Sequence, residues 1–196
     1  MVSHSYQRFF AYFLDFFIVA VISTFLTFWI PNSEKYESAY KEEMTVVSDY
    51  IDGKIEDKEF ESITKNLTYT LNKERVIFSL IDLIITIAYF GSFTYYSNGQ
   101  TLGKKVMNIK IVSNDNKEIS HFNLLIRAFL INGCLASFLE IVFVLLMQKE
   151  LYFYALTCIE FAQLLFLISS IFMVIYRKDK RGLHDLICET KVIKID

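Results

Sequence analysis

Proline is almost missing from this chain. The one proline, Pro31, sits just past a long apolar segment, where a helix stop is expected. Cysteine is scarce too, and Cys134, Cys158 and Cys188 show neither CxxC nor metal-ligand spacing, which excludes a disulfide scaffold or a zinc site. Of the three histidines, His184 stands next to Asp185, but His4 and His121 have no spacing that would complete a metal-dependent hydrolase. Net charge is −2, without the basic footprint that nucleic-acid binding requires. Asp49, Asp52 and Glu56 are too few and wrongly spaced for a calcium loop. No nucleophile–base pair is visible, so neither an enzyme nor a cofactor is expected.

What the chain has instead is apolar length. Hydrophobic residues make up 54% and aromatics 16% of it, more than a soluble domain carries. Four segments, Phe9–Ile30, Val76–Ser97, Leu124–Met147 and Leu151–Tyr176, each exceed the ~20 residues that span a bilayer core of ~30 Å as helix. The first is too long for a signal peptide's apolar core, has only Arg8 before it, and lacks an A-x-A-like site after it. It reads as a retained helix. The expected fold is one all-α membrane domain: a bundle of four transmembrane helices within the lipid bilayer.

Loop charge orients the bundle. The connection Asn98–Asn123 carries Lys104, Lys105, Lys110 and Lys117 against Asp115 and Glu118. The tail from Arg177 to Asp196 opens with Arg177, Lys178, Lys180 and Arg181. Both belong in the cytoplasm, and an even number of spans places the N-terminus there as well. The connection Pro31–Arg75, with seven basic and eleven acidic residues, then faces outward. Within it Ser33–Ile51 and Asp57–Lys73 read as helices around an Asp52-Gly53 turn, forming an external helical hairpin. On the inside, Val106–Val112 and Thr190–Ile195 alternate as strands, with a turn at Asn114-Asp115-Asn116, and pair as a small cytoplasmic β element. Leu183, Leu186 and Ile187 have the spacing of a short interfacial helix.

Three ordered motifs resemble those of the RDD family of bacterial and archaeal membrane proteins. They are Arg8-Phe9-Phe10-Ala11-Tyr12-Phe13-Leu14-Asp15, then Gly99-Gln100-Thr101-Leu102-Gly103-Lys104-Lys105, then Arg181-Gly182-Leu183-His184-Asp185. Each alone is weak; their order and placement against the apolar segments are specific. The resemblance spans nearly the whole chain except the Pro31–Arg75 connection, which is longer than the family leads one to expect. It matches Arg8 and Asp15 to two of the family's three name-giving residues, with Asp185 or Asp82 as the third. It implies transport, with cation/proton antiport the activity suggested for some members. The other expectation is an accessory protein that binds a membrane-protein partner through the hairpin. Four helices make a thin wall around a pathway, so a homo-oligomer goes with transport.

The ionisable residues inside the apolar segments are the candidate sites, since charge in lipid is expensive. Arg8 and Asp15 share a helix face ~10 Å apart, Arg8 shallow enough to snorkel to headgroups and Asp15 too deep to do so. Arg127 is at a depth Asp15 can reach, so an Asp15–Arg127 pair is expected, either fixing helix register or serving transport. Asp82, Glu140 and Glu160 fall in the outer half with no basic residue at their depth. Thr86 and Tyr89 follow Asp82 on its face. Gln163 flanks Glu160, while Gly133 and Ser137 share a face with Glu140. The three acids are either protonated and separately hydrogen-bonded or one cation or proton site. Gly99–Lys105 fails as a phosphate loop, because its glycines are four apart and no Ser or Thr follows the lysine. It reads as a turn at the membrane exit with Lys104 and Lys105 on anionic lipid, and His184-Asp185 reads as a cap near the headgroups. A cysteine introduced at Gly53 should react with an impermeant thiol reagent on whole cells while one at Asn116 is spared. The reverse pattern overturns the orientation.

Overall fold

The computed structural model describes residues 3–115 and 118–195. The described residues are mostly helical, with one two-stranded sheet among them. Among the described residues three helices are long and apolar enough to cross a membrane: α1 (Ser5–Thr27), the helix Val76–Tyr96, and α9 (Lys149–Tyr176). The pair α7 (His121–Ile131) and α8 (Cys134–Leu146) makes a fourth span if its two bent halves are counted together.

Helix α1 starts four residues before Phe9, because Gln7 Oε1 reaches back to accept the His4 backbone N–H at 3.2 Å. Arg8 is therefore inside the helix rather than in front of it. Val76–Tyr96 begins as α4 (Val76–Ile87), widens into a π segment (Ala88–Phe93), and closes as α5 (Thr94–Tyr96). Such a widening inserts a residue into the ladder and re-aims the side chains beyond it. Gly91 in this segment abuts α7: a Cβ there would stand 2.6 Å from Leu125 Cδ2.

The expected single helix Leu124–Met147 is a correction. The chain bends by 67° between α7 and α8. Gly133 has φ +72°, a left-handed conformation that ends α7 and costs side-chain-bearing residues roughly 1–2 kcal/mol. A Cβ at Gly133 would meet nothing within 4 Å, so this glycine serves the backbone turn and not a close approach.

Helices α2 (Glu34–Ile51) and α3 (Asp57–Glu74) pack on each other through Ala39, Val46, Leu67 and Leu71. Gly53, at φ +71°, turns the chain between them. Ser33 caps α2 by accepting the Tyr36 N–H at 3.0 Å and donates to Glu74 at 2.8 Å, joining the two helices where they meet α4. Tyr69 of α3 donates to the Val144 and Met147 carbonyls at the end of α8.

At the opposite end, α6 (Leu102–Val106), β1 (Ile109–Ser113), α10 (Leu183–Ile187) and β2 (Thr190–Lys194) form a basal layer. The strands are antiparallel with Ile111 opposite Val192. Ile109, Ile111 and Val192 pack with Ala11 and Leu124 into a buried core. The expected strand from Val106 starts three residues later. Thr101 caps α6 by accepting the Lys104 N–H, and Asn108, at φ +52°, turns the chain before β1 can begin. Of the turn expected at Asn114–Asn116, Asn114 donates to Glu189 O at 2.8 Å, and Asn116 lies outside the described residues.

Candidate functional site

The basal layer gathers the polar motif residues. Asp185, near the start of α10, is fully buried, and its carboxylate is the hub. Oδ1 accepts from Arg127 Nη1 on α7 and from Thr190 Oγ1 at 3.2 Å. Oδ2 accepts from Arg8 Nη1 on α1 at 3.1 Å and from the Gly182 N–H at 3.1 Å. Arg8 also donates from Nε to Ser3 Oγ at 2.8 Å and from Nη2 to Val192 O at 3.2 Å. Arg181 closes the outer side of the hub, donating to Thr190 O and Asp185 O. Burial alone would raise the Asp185 pKa, but Arg127, His184 and Arg8 outweigh it and hold the carboxyl well below its usual range. His184 is 3.5 Å from Asp185 and shares a 2.6 Å hydrogen bond between Nδ1 and Ser170 Oγ of α9. Burial and then Arg127 lower its pKa to about 3, so the ring is neutral near neutral pH.

A second buried carboxylate, Asp15, fastens the Gly99–Lys105 loop to α1. Its Oδ1 accepts from Tyr89 OH at 2.7 Å and from the Gly103 N–H at 2.7 Å, and its Oδ2 accepts from Thr101 Oγ1. Lys104 Nζ lies 3.9 Å away. Burial lowers the Lys104 pKa to about 8 against the pull of Asp15. A Cβ on Gly103 would stand 2.3 Å from Ala11 O, so only glycine lets the loop backbone reach Asp15. Gly99, at φ +83°, accepts the Ile111 N–H at 2.8 Å and ties the loop to β1.

Several expectations are corrected here. Arg127 pairs with Asp185 and not with Asp15, because the tail folds back over α7 while the Gly99–Lys105 loop occupies Asp15. Arg8 turns inward to Asp185 instead of reaching headgroups, Lys104 lies beside Asp15 rather than out on the membrane surface, and the His184-Asp185 pair is buried. Tyr89 and Asp82 both face α1, as their spacing implies, but they meet different partners there: Tyr89 donates to Asp15 and Asp82 accepts from Ser23. Ser3, Gln7 and Ser170 were not singled out by the sequence. Their pattern is that of ordinary polar residues at helix ends and faces, and only the fold brings them to the motifs.

The three remaining acids of the apolar segments divide. Asp82 is exposed on α4 and accepts from Ser23 Oγ of α1, while Thr86 Oγ1 donates to the Asp82 backbone carbonyl at 2.8 Å. Glu140 of α8 and Glu160 of α9 are close enough to interact electrostatically, and Tyr152 OH, 3.4 Å from Glu140, also accepts from Asn72 Nδ2 at 2.9 Å. Among the described residues no three acids, histidines or cysteines are grouped to hold a metal ion, so the three carboxylates do not form one such cluster. At the α7–α8 bend, Gln163 Nε2 of α9 donates to Leu130 O at 3.2 Å, and Asn132 Oδ1 is buried without a partner among the described residues. Below the bend lies a cleft of about 630 Å³, into which Arg8, Lys104 and Arg127 all face.

Apolar helices of spanning length closed at one end by buried ion pairs define a membrane protein. The RDD family model matches residues 2–189, and the chain belongs to the RDD family. It is similar to an uncharacterized protein, YxaI, of Bacillus subtilis (strain 168), with 26% identity over 188 residues that cover 95% of this chain and 93% of the relative. No solved structure matches.

Two outcomes follow from the hub. Asp185→Asn leaves two buried arginines without a counter-charge and should cost about 3–5 kcal/mol, part of which Arg127→Gln in the same chain should restore. Asp15→Asn combined with Arg127→Gln should instead be additive to within about 0.5 kcal/mol, as thermal unfolding in detergent would show. The second outcome concerns pH. The folded His184 pKa of about 3 lies below the unfolded value of about 6.5, so the unfolded chain binds the extra proton between them. Stability should therefore fall as pH drops from about 6.5, ahead of the Asp185 loss at still lower pH. His184→Asn should flatten the upper part of that fall; an unchanged slope assigns it elsewhere.

Proposed function

We propose that the chain is a four-span protein of the cell membrane, with both termini and the Asn98–Asn123 connection cytoplasmic and α2 and α3 forming an external helical hairpin. We infer further that it exchanges protons with a monovalent cation along the face shared by α7, α8 and α9. The observation that carries this reading is the run of polar groups on α9, each meeting a polar group of a neighbouring element. Tyr152 meets Glu140, Gln163 meets the carbonyl released at the bend, and Ser170 meets His184. Glu160 stands one turn from Gln163. From Tyr152 to Ser170 the helix rises ~27 Å, nearly the hydrocarbon thickness.

The bend supports the same reading. Irregular backbone at membrane depth is tolerated where it faces a cavity, and interrupted helices are where transporters coordinate ions. Asn132, at the bend, lines the cleft that opens below it. Asp82 and Glu160 are exposed in a single copy, and a charge on an outer face asks for protein cover. A homo-oligomer is therefore part of the proposal; an enzymatic step and a cofactor are not. The accessory reading has one observation in its favour: Tyr40, Met44 and Ile51 are exposed along one side of α2, a surface suited to a partner protein.

Purified protein in proteoliposomes should show cation-dependent dissipation of a pH gradient. Glu140→Gln, Glu160→Gln and Gln163→Leu should each suppress it with insertion intact. If the wild type shows no flux, or all three variants match it, exchange along α9 is refuted. The accessory reading then leads, and Tyr40→Lys with Ile51→Lys should release whatever protein the wild type retains.

A further inference from the structure

The cleft below the bend has a composition that internal ion pairing does not explain. Its walls are apolar: Phe9 and Tyr12 of α1 face Ile171 of α9, and all three are substantially exposed at its mouth. Its floor holds Arg8, Lys104 and Arg127. At about 630 Å³ it falls within the roughly 300–1,000 Å³ of small-molecule sites. Helices α1 and α9 are joined at the cleft's base by a hydrogen bond from Ser5 Oγ to Val174 O at 3.2 Å, and the cleft continues above it between the two helices. In a bilayer such a mouth opens sideways onto lipid.

Charge indicates the occupant. The three floor cations are set against two buried carboxylates, Asp185 and Asp15: His184 is neutral, the more distant Asp179 is paired with Arg177, and the Arg181 guanidinium bonds only to backbone carbonyls among the described residues. One positive charge is left over in a dry site, where an uncompensated charge is costly. The donors are also not exhausted. Arg127 makes its hydrogen bonds to described residues through Nη1, leaving Nη2 and Nε available. Lys104 Nζ donates to Thr101 Oγ1 at 3.2 Å and has two further protons. An anion with several oxygens satisfies both, and the apolar walls require that the same molecule carry a hydrocarbon chain.

We propose that this cleft holds one anionic phospholipid from the leaflet beside the chain termini, its phosphate oxygens on Arg127 and Lys104 and one acyl chain between α1 and α9. The site needs the helices to lie in a bilayer but not to conduct anything, so it stands apart from the exchange reading. Phosphatidylcholine carries its own positive charge next to the phosphate and would leave the surplus uncompensated. A lipid with net negative charge removes it.

The experiment uses the full chain in phosphatidylcholine vesicles doped with a phosphatidylglycerol that bears a diazirine on one acyl chain. After photolysis, adducts should concentrate on the segments containing Phe9–Tyr12 and Leu167–Ile175. Unlabelled phosphatidylglycerol should compete them away, and added phosphatidylcholine should not. Lys104→Gln should weaken labelling about tenfold, as expected for one charge-assisted hydrogen bond. Should Lys104→Gln fold poorly, Ile171→Trp blocks the exposed lip without touching the ion pairs and should remove the adducts. Labelling spread evenly over the apolar surface, or equal competition by phosphatidylcholine, overturns the proposal. So does protection by a free fatty acid or by inorganic phosphate, each naming a different occupant, and so does indifference to both substitutions.

Discussion

The Asp185 carboxylate holds Arg8 and Arg127 in place, and the rest of the basal layer depends on that balance. Two guanidinium groups taken out of water repel one another and cost several kilocalories per mole each, and one shared anion makes their proximity tolerable. Because the groups come from α1, α7 and the tail, satisfying the charges assembles the layer. Once Arg8 has turned inward, its Nη2 and Ser3 both reach Val192 O, which fixes the edge of β2. β2 in turn sets the register of β1, and β1 anchors Gly99 at the head of the loop that caps Asp15. Each polar group is satisfied by a segment that another polar group has already positioned.

The far end of the bundle is built differently. There the carboxylates have neutral partners, a serine for Asp82 and a tyrosine for Glu140, and two of the three acids are exposed on helix surfaces. These acids have few fixed partners, whereas Asp185 and Asp15 are each held by several hydrogen bonds from different elements. The left-handed turn at Gly133 divides the two regimes. It separates α7, whose arginine belongs to the ion pairs, from α8, whose glutamate belongs to the loose acids.

Much of this was legible from residue order. Apolar length and loop composition marked the long helices, and alternation around Ile109 and Val192 marked the strands, because those patterns record which face is buried. The bend was written as Asn132-Gly133, a turn dipeptide, but hydropathy averages over it and an unbroken apolar run hides it. Which acid meets Arg127 was not legible at all. Depth along a helix made Asp15 a fair partner, while Asp185 lies outside every apolar segment and reaches Arg127 only because the tail doubles back. Helical spacing put Tyr89 on the face of Asp82, and both do face α1, but spacing could not say that Asp15 on that helix is what Tyr89 meets.

The separation of Arg8 from Asp185 by 177 residues has a temporal consequence. At the roughly 5–20 residues per second of synthesis, about 10–35 seconds pass between the emergence of the arginine and that of its counter-ion. Throughout that interval Arg8, and later Arg127, must remain hydrated or be sheltered by the insertion machinery, since neither has its anion. The segment with Asp185 thus acts as a latch made long after the arginines it binds. A nascent chain that stalls before it leaves two arginines at the base of its helices without the carboxylate that binds them.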